Sequence, residues 1–306
     1  MIQTLYSFKE SNVRKTWFLM VLFLIFIALI GWFVSYYFET PKIFYYALIF
    51  ALVLNLMSYW VSDKMVLMFT HAKPIEFKDN PELYRIVENL CITAGLPMPK
   101  IYILPEKAPN AFATGRNPKH GVIAITEGLL EKLDRSELEG VIAHELSHIG
   151  NRDTFLQTVV VVLVGLVVIL SDIFLRASFW GGIGGRRSSQ RQGGQLIGLL
   201  TIIGVIFIIL SPLIARLIQF AISRKREFLA DASGVLLTRY PEGLARALEK
   251  IANDPMPMRY ASNATAHLYV ANPFTGGNKK TSWLVKLFMT HPPIEERIKV
   301  LREMSI

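Results

Sequence analysis

Four long, predominantly apolar stretches of the chain carry no charged residue: 17–38, 43–62, 154–171 and 195–215. A helix needs roughly 20 mostly apolar residues to cross a bilayer, and each stretch comes close to that length. Four transmembrane helices are expected, arranged as two hairpins. The segments between and after them read differently. In 63–153, Asn80-Pro81-Glu82 opens a helix, with Asn as cap and Pro in the first turn. Leu83, Ile86, Val87, Leu90 and Cys91 follow at helical spacing, and Gly95 ends the element. Residues 100–104, 112–114 and 122–125 read as short strands, the last two joined by a basic turn, Gly115 to His120. Thr126 caps a short helix through Leu130. A further helix opens at Asp134-Arg135-Ser136-Glu137, where a capping box is available to Asp134 with Glu137 or to Ser136 with Glu139.

Composition agrees with the pattern. Of 306 residues, 52% are hydrophobic and only 19% charged, against about 25% charged in soluble domains. A purely soluble enzyme and a disordered chain are both excluded. A lone cysteine excludes an intramolecular disulfide framework, and Cys91 reads as a core residue. The first apolar run exceeds the roughly 7–15 residues of a signal-peptide core and no small-residue cleavage site follows, so it reads as a retained anchor.

The net charge of +9 invites a nucleic-acid reading, but its distribution opposes one. Lys9, Arg14 and Lys15 precede the first run, Lys64 follows the second, and Arg224, Lys225 and Arg226 follow the fourth. Basic residues beside apolar runs mark the cytoplasmic side. The chain therefore reads as an N-terminal transmembrane hairpin (1–62), a first soluble segment (63–153), a second hairpin (154–215) and a second soluble segment (216–306), with both soluble segments in the cytoplasm. The loop of the second hairpin strains this scheme, since it carries Arg176, Arg186, Arg187 and Arg191. Either the positive-inside tendency is broken there or that hairpin does not cross fully.

The chemistry lies in His144-Glu145-Leu146-Ser147-His148. Histidines four apart share one helix face, so their ring nitrogens can converge on one metal ion. Glu145 stands one position round, where it can take a proton from water activated by the metal. This is the HExxH arrangement of zinc metallopeptidases. Catalytic zinc takes a third protein ligand and keeps one position open. The metzincin continuation needs glycine at 151 and histidine at 154, which are Asn151 and Thr154. A glutamate on a later helix is the alternative, and Glu227 supplies it, with Asp231 four residues on and on the same face to hold a ligand histidine. Against this, Glu227 could be a solvated charge in a basic cluster, and an i,i+4 acidic pair is mildly repulsive unless a cation sits between.

The sequence resembles the HtpX-type integral-membrane zinc proteases, gluzincin relatives of the CAAX prenyl endopeptidase. The resemblance covers nearly the whole chain. It is carried by Asn110-Ala111-Phe112-Ala113-Thr114-Gly115, by Ala143 to Ile149, by Ser223 to Asp231 and by His291-Pro292-Pro293-Ile294-Glu295-Glu296-Arg297. It implies an ATP-independent endopeptidase of the cell (inner or plasma) membrane, its site facing the cytoplasm, that cleaves damaged or misassembled membrane proteins. The fold expected is mostly α: about four transmembrane helices plus an α+β zincin-like domain with a small sheet. One Zn2+ per chain, protein or peptide substrates, and contact with the bilayer go with it; nucleic acid and nucleotide do not.

Two other segments carry open readings. Asn110, Ala111, Phe112 and Ala113 could form an edge strand that pairs with an extended substrate, or an ordinary core strand. His291 could aim at the oxyanion of the tetrahedral intermediate or cap a closing helix over 294–302. His71, His120 and His267 have no partner at metal spacing. Three rivals compete with the endopeptidase reading. A CAAX-type prenyl-protein processing enzyme would have more spans and a longer chain. A scaffold with structural zinc would close the site with a fourth ligand. An intramembrane protease would bury its motif in an apolar helix, whereas here Glu137, Glu139, Asn151, Arg152 and Asp153 flank it.

Overall fold

The computed structural model describes residues 5–163, 224–262, 265–274 and 292–304. Two long helices come first, α1 (Leu5–Tyr37) and α2 (Lys42–Phe69). Their apolar windows have mean hydropathies of 2.8 and 1.7, yet only 22% and 11% of those windows is buried. A core helix of a soluble protein would hide such residues. Here Trp17, Phe18, Ile25 and Trp32 on α1, and Ile49, Val53 and Leu56 on α2, face outward, the surface a bilayer covers. Both helices outrun the apolar runs. α1 takes in Lys9, Arg14 and Lys15, and α2 continues past Asp63 and Lys64 to Phe69.

The local signals between residues 80 and 126 are used as written. Asn80 accepts from Leu83 N at 3.0 Å at the head of α3 (Pro81–Ala94), and Gly95 ends it in the left-handed region at φ 64°. Thr126 caps α4 (Glu127–Lys132) through Leu129 N at 3.1 Å. A four-stranded sheet lies between, formed by β1 (Lys73–Pro74), β2 (Lys100–Leu104), β3 (Ala111–Thr114) and β4 (Val122–Thr126) in the order β1-β2-β4-β3. β2 and β4 run parallel, and the other pairs are antiparallel. The two-residue β1 had no period to betray it in the sequence.

Alternation along these strands divides the core in two. Ile101, Ala111, Ala113, Ile123 and Ile125 face a cluster that holds α3, α5 (Arg135–Gly150) and α8 (Pro241–Ala252). Leu104, Phe112, Val122 and Ala124 face the opposite way, onto Val66 and Leu67 of α2, Val161, Leu268 and Tyr269. A sheet buried on both faces needs no polar positions, hence the continuous apolar runs. The C-terminal end of α2 thereby anchors the sheet to the first helical hairpin.

The third apolar run enters the described residues as α6 (Asp153–Leu163). Phe155, Val159 and Leu163 pack against Met20 and Phe23 of α1. The rest of that run and the whole fourth run lie outside the described residues, as does the arginine-bearing loop. Residues 224–303 supply α7 (Arg224–Thr238), α8 and α9 (Ile294–Glu303). The chain is mostly helical, with a small mixed sheet and, among the described residues, two helices long and apolar enough to span a membrane.

Candidate metal centre

α5 carries the motif and is capped through Asp134. The Asp134 side chain accepts from Glu137 N at 3.0 Å, and Glu137 accepts from Asp134 N at 2.8 Å. The Ser136 frame is not used; Glu139 pairs instead with Arg135 at 3.0 Å. The helix is buried on nearly every side from Glu137 to Ile149, so it is a central element and not a half-exposed amphipathic one. Of the polar residues flanking the motif, Glu137, Asn151 and Asp153 are buried, Glu139 is half-buried and Arg152 is exposed. Glu137 is 1% exposed and receives Lys250 at 2.6 Å, while Asn151 and Asp153 join the network described below.

His144 and His148 point their Nε2 atoms together, 3.1 Å apart. Glu227, in the first turn of α7, brings Oε2 to 3.8 Å from His144 Nε2 and Oε1 to 3.6 Å from His148 Nε2. Ligand atoms of the three residues lie within 4.8 Å of one another, and all three side chains are buried. Zinc with bonds of about 2.0–2.1 Å places tetrahedral neighbours roughly 3.3 Å apart. The donor set and spacing fit that ion. One glycine permits the approach: a Cβ on Gly234 of α7 would stand 3.0 Å from His144 N and 3.2 Å from His144 Cα.

The outer nitrogens are engaged as well. His144 Nδ1 lies 2.9 Å from Asp231 Oδ1. Arg297 of α9, fully buried, donates to Asp231 from Nε at 2.9 Å and from Nη2 at 2.6 Å. It also stands 3.8 Å from Glu227, so it is the cation between the two acidic residues of α7. On the other side, His148 Nδ1 lies 3.1 Å from Asp153 Oδ2. The electrostatics follow. Burial, then the Arg297 charge, pushes the His144 imidazole below its ordinary value. Burial also works against a charged His148, but the Asp153 hydrogen bond and the charges of Glu227, Asp153 and Glu145 outweigh it and raise His148 to about 9. Burial opposes ionisation of Asp231, yet Arg297 and His144 hold its carboxyl down at about 2.

Glu145 is 2% exposed, one position round α5 from His144. Asn110 precedes the edge strand β3, and its side chain donates to Ala271 O at 2.9 Å and accepts from Ala271 N at 3.3 Å. Val270 N donates to Ala111 O at 3.0 Å, while Asn110 O accepts from Thr126 N at 3.0 Å. In an antiparallel ladder successive residues turn their peptide groups alternately in and out. Ala113 therefore directs its N–H and C=O to the same outer edge as Ala111. Phe112 is buried in the far cluster with its ring 5.3 Å from Tyr269. His291 lies outside the described residues. His71 and His120 are exposed, and His267 is buried beside Gln157 O at 3.3 Å. Cys91 is buried, and burial pushes its thiol up to about 11.

Sequence reasoning missed Asp153, Arg297 and Gly234. Asp153 was legible in part, five residues after His148 and just beyond the end of α5. Nothing local marks Arg297 as the partner of a residue 66 positions away.

An HExxH helix whose histidines meet a glutamate from a later helix, beside two exposed apolar helices, defines a membrane metallopeptidase. The model of peptidase family M48 matches residues 78–305, and the chain belongs to that family. Among its relatives, a protease HtpX homolog of Caldanaerobacter subterraneus is 47% identical over 99% of both chains. One from Syntrophobacter fumaroxidans is 50% identical over 84% of this chain and 88% of that one. One from Pyrococcus furiosus is 47% identical over 84% of each. A crystal structure of S. mikatae Ste24p is similar with a TM-score of 0.47 and 19% identity, covering 97% of this chain and 67% of that one. The protein is a zinc-dependent membrane metalloprotease that hydrolyses peptide bonds in protein or peptide substrates.

Proposed function

We propose that the chain is an ATP-independent endopeptidase of membrane protein quality control, multi-pass in the cell membrane, with its site on the cytoplasmic face. The observation that carries the reading is the convergence of His144, His148 and Glu227 directly beyond the exposed apolar surface of α1 and α2. In this reading those three residues hold the ion, and Asp231 fixes His144. Zinc, when bound, supplies a Lewis acid and lowers the pKa of its water to about 7. Glu145 accepts the proton of the attacking water and delivers it to the leaving amine. An extended substrate pairs with the outer edge of β3, where Asn110 and Ala111 already bind the chain's own 270–271 segment and Ala113 offers the next peptide groups. His291 steadies the oxyanion.

No phosphate-binding glycine loop with its lysine occurs in the sequence, so substrates reach the site already extended or loosely folded. In this reading the chain divides into 1–62, 63–153, 154–215 and 216–306, and both ligand-bearing segments lie on one side of a four-span protein. Purified protein in lipid nanodiscs should cleave casein without ATP and stop with a chelator. Single cysteines introduced at Lys107 and at Lys279, in a Cys91→Ser background, should share accessibility from the cytoplasm; opposite accessibility would overturn the topology. A comparison of cleaved membrane proteins with and without active enzyme tests the quality-control role.

A further inference from the structure

The head of α1 reaches the metal centre. Asn12 is 2% exposed although it lies only five residues before the outward-facing Trp17. A buried side-chain amide must find partners or cost stability, and each partner of this one belongs to a segment that bears a ligand. Asn12 Nδ2 donates to Asp153 Oδ1 at 2.6 Å and to Asn151 O at 3.2 Å. Its Oδ1 accepts from Arg226 Nη1 at 3.2 Å. Asp153 is the carboxylate on His148 Nδ1, and Arg226 immediately precedes Glu227. Arg226 also stands 3.7 Å from Asp153.

We infer that Asn12 is a positioning residue for the metal, through which the first membrane helix ties the end of the HExxH helix to the start of the Glu227 helix. The two ligand-bearing helices are separated in sequence by residues 151–223, and Asn12 closes the gap between them from a third element. The amide of Asn12 uses both hydrogens and its oxygen in doing so. Asp153 has two oxygens: with one held by Asn12, the other is fixed toward His148, which sets the orientation of that ring. Outer carboxylates of metal-bound histidines matter at this level; their loss costs roughly 10–100-fold in metal affinity. At 3.6 residues per turn, Asn12 stands less than two turns from the outward-facing Trp17 of the same helix.

The inference rests on His148 and Glu227 being ligands, and the test separates the two claims. Full-length protein in nanodiscs is titrated with zinc against a chromogenic chelator, and its cobalt-substituted form is read by visible absorption. Asn12→Ala should weaken zinc by roughly 10–100-fold and shift the cobalt bands. Asn12→Asp keeps the size and the acceptor toward Arg226 but sets a carboxylate against Asp153, and should do the same if the alanine variant folds poorly. Met20→Ala loosens the packing of α1 on Phe155 and Val159 without touching the network; it should lower the melting temperature and leave zinc affinity and the cobalt spectrum as in the parent. Asn12 variants that bind zinc like the parent would overturn the inference, as would an equal loss in Met20→Ala. If His148→Ala also binds zinc like the parent, the ligand assignment itself has failed.

Discussion

Arg297 and Asp231 form a two-pronged ion pair at 2.9 and 2.6 Å, both side chains at most 1% exposed, with His144 Nδ1 on the same carboxylate at 2.9 Å. The closing helix thus reaches the metal centre through one guanidinium. Removing one partner of a buried pair strands the other charge and costs about 3–5 kcal/mol. Arg297→Ala should show a loss of that order in denaturant unfolding, together with weaker zinc. Arg297→Lys keeps the charge but cannot form the fork, so it should recover part of the stability and less of the zinc affinity. Asp231→Asn should weaken zinc by roughly 10–100-fold, and excess zinc should restore some activity. Parent-like zinc binding in both Arg297 variants would show that the pair serves stability alone.

Glu145→Gln separates proton transfer from metal binding. The amide keeps the shape of the carboxylate but cannot accept a proton. Zinc content should stay near one per chain while peptidase turnover falls by on the order of 10² or more. His144→Ala, His148→Ala and Glu227→Ala should instead lose zinc and activity together. Full activity in Glu145→Gln would remove Glu145 from the reaction, and parent-like zinc in Glu227→Ala would place the third ligand elsewhere.

Gly234 sets the distance between the helices that carry His144 and Glu227. Its missing Cβ leaves room for the His144 backbone, whose nearest atoms would stand 3.0–3.2 Å away. Backbone cannot swing aside as a flexible side chain can, so Gly234→Ala must push α7 from α5. Overpacking of this kind costs about 1–3 kcal/mol, and Glu227 moves with its helix. Lower melting temperature and weaker zinc should appear together. Gly140 gives the comparison: its Cβ would meet Leu244 N at 2.8 Å on α8, away from the ligands, so Gly140→Ala should destabilise without changing the affinity of the folded protein for zinc.

What was legible in the sequence was written locally. Asn80, Thr126, Asp134 and Gly95 announce helix ends because a cap needs only the next three or four residues. The two histidines share a face through helical period alone, and Glu227 with Asp231 likewise. Three of the four strands were found from their apolar content, but not β1, nor the sheet order, which places β2 beside β4 with β3 at one edge. The polar shell of the metal centre was harder to read. Asp153 to Asn12 spans 141 residues and Arg297 to Asp231 spans 66; no period or turn residue encodes pairs at that range. Arg226 read as an ordinary juxtamembrane cation and Asn12 carried no signal, because burial, not identity, gives them their role.

The Asp134 cap offers a test that leaves the metal untouched. Asp134 accepts from Glu137 N at 3.0 Å and Glu137 returns the bond at 2.8 Å. The hydrogen bond from the Glu137 backbone, with that from Ser136, holds the Asp134 carboxyl below its ordinary 3.8. A carboxyl depressed in the folded state contributes its stability above the unfolded pKa and loses it as pH falls through the folded one. Asp134→Ala should therefore cost about 1 kcal/mol near neutral pH, the usual value of an N-cap. The difference from the parent should shrink as the solution is acidified below 3.8, where the parent's own carboxyl takes up a proton. Chemical unfolding of the full chain in detergent at neutral and acid pH measures both halves of this expectation. A cost that stays constant down to the lowest pH would mean that Asp134 acts through packing and not as a charged cap.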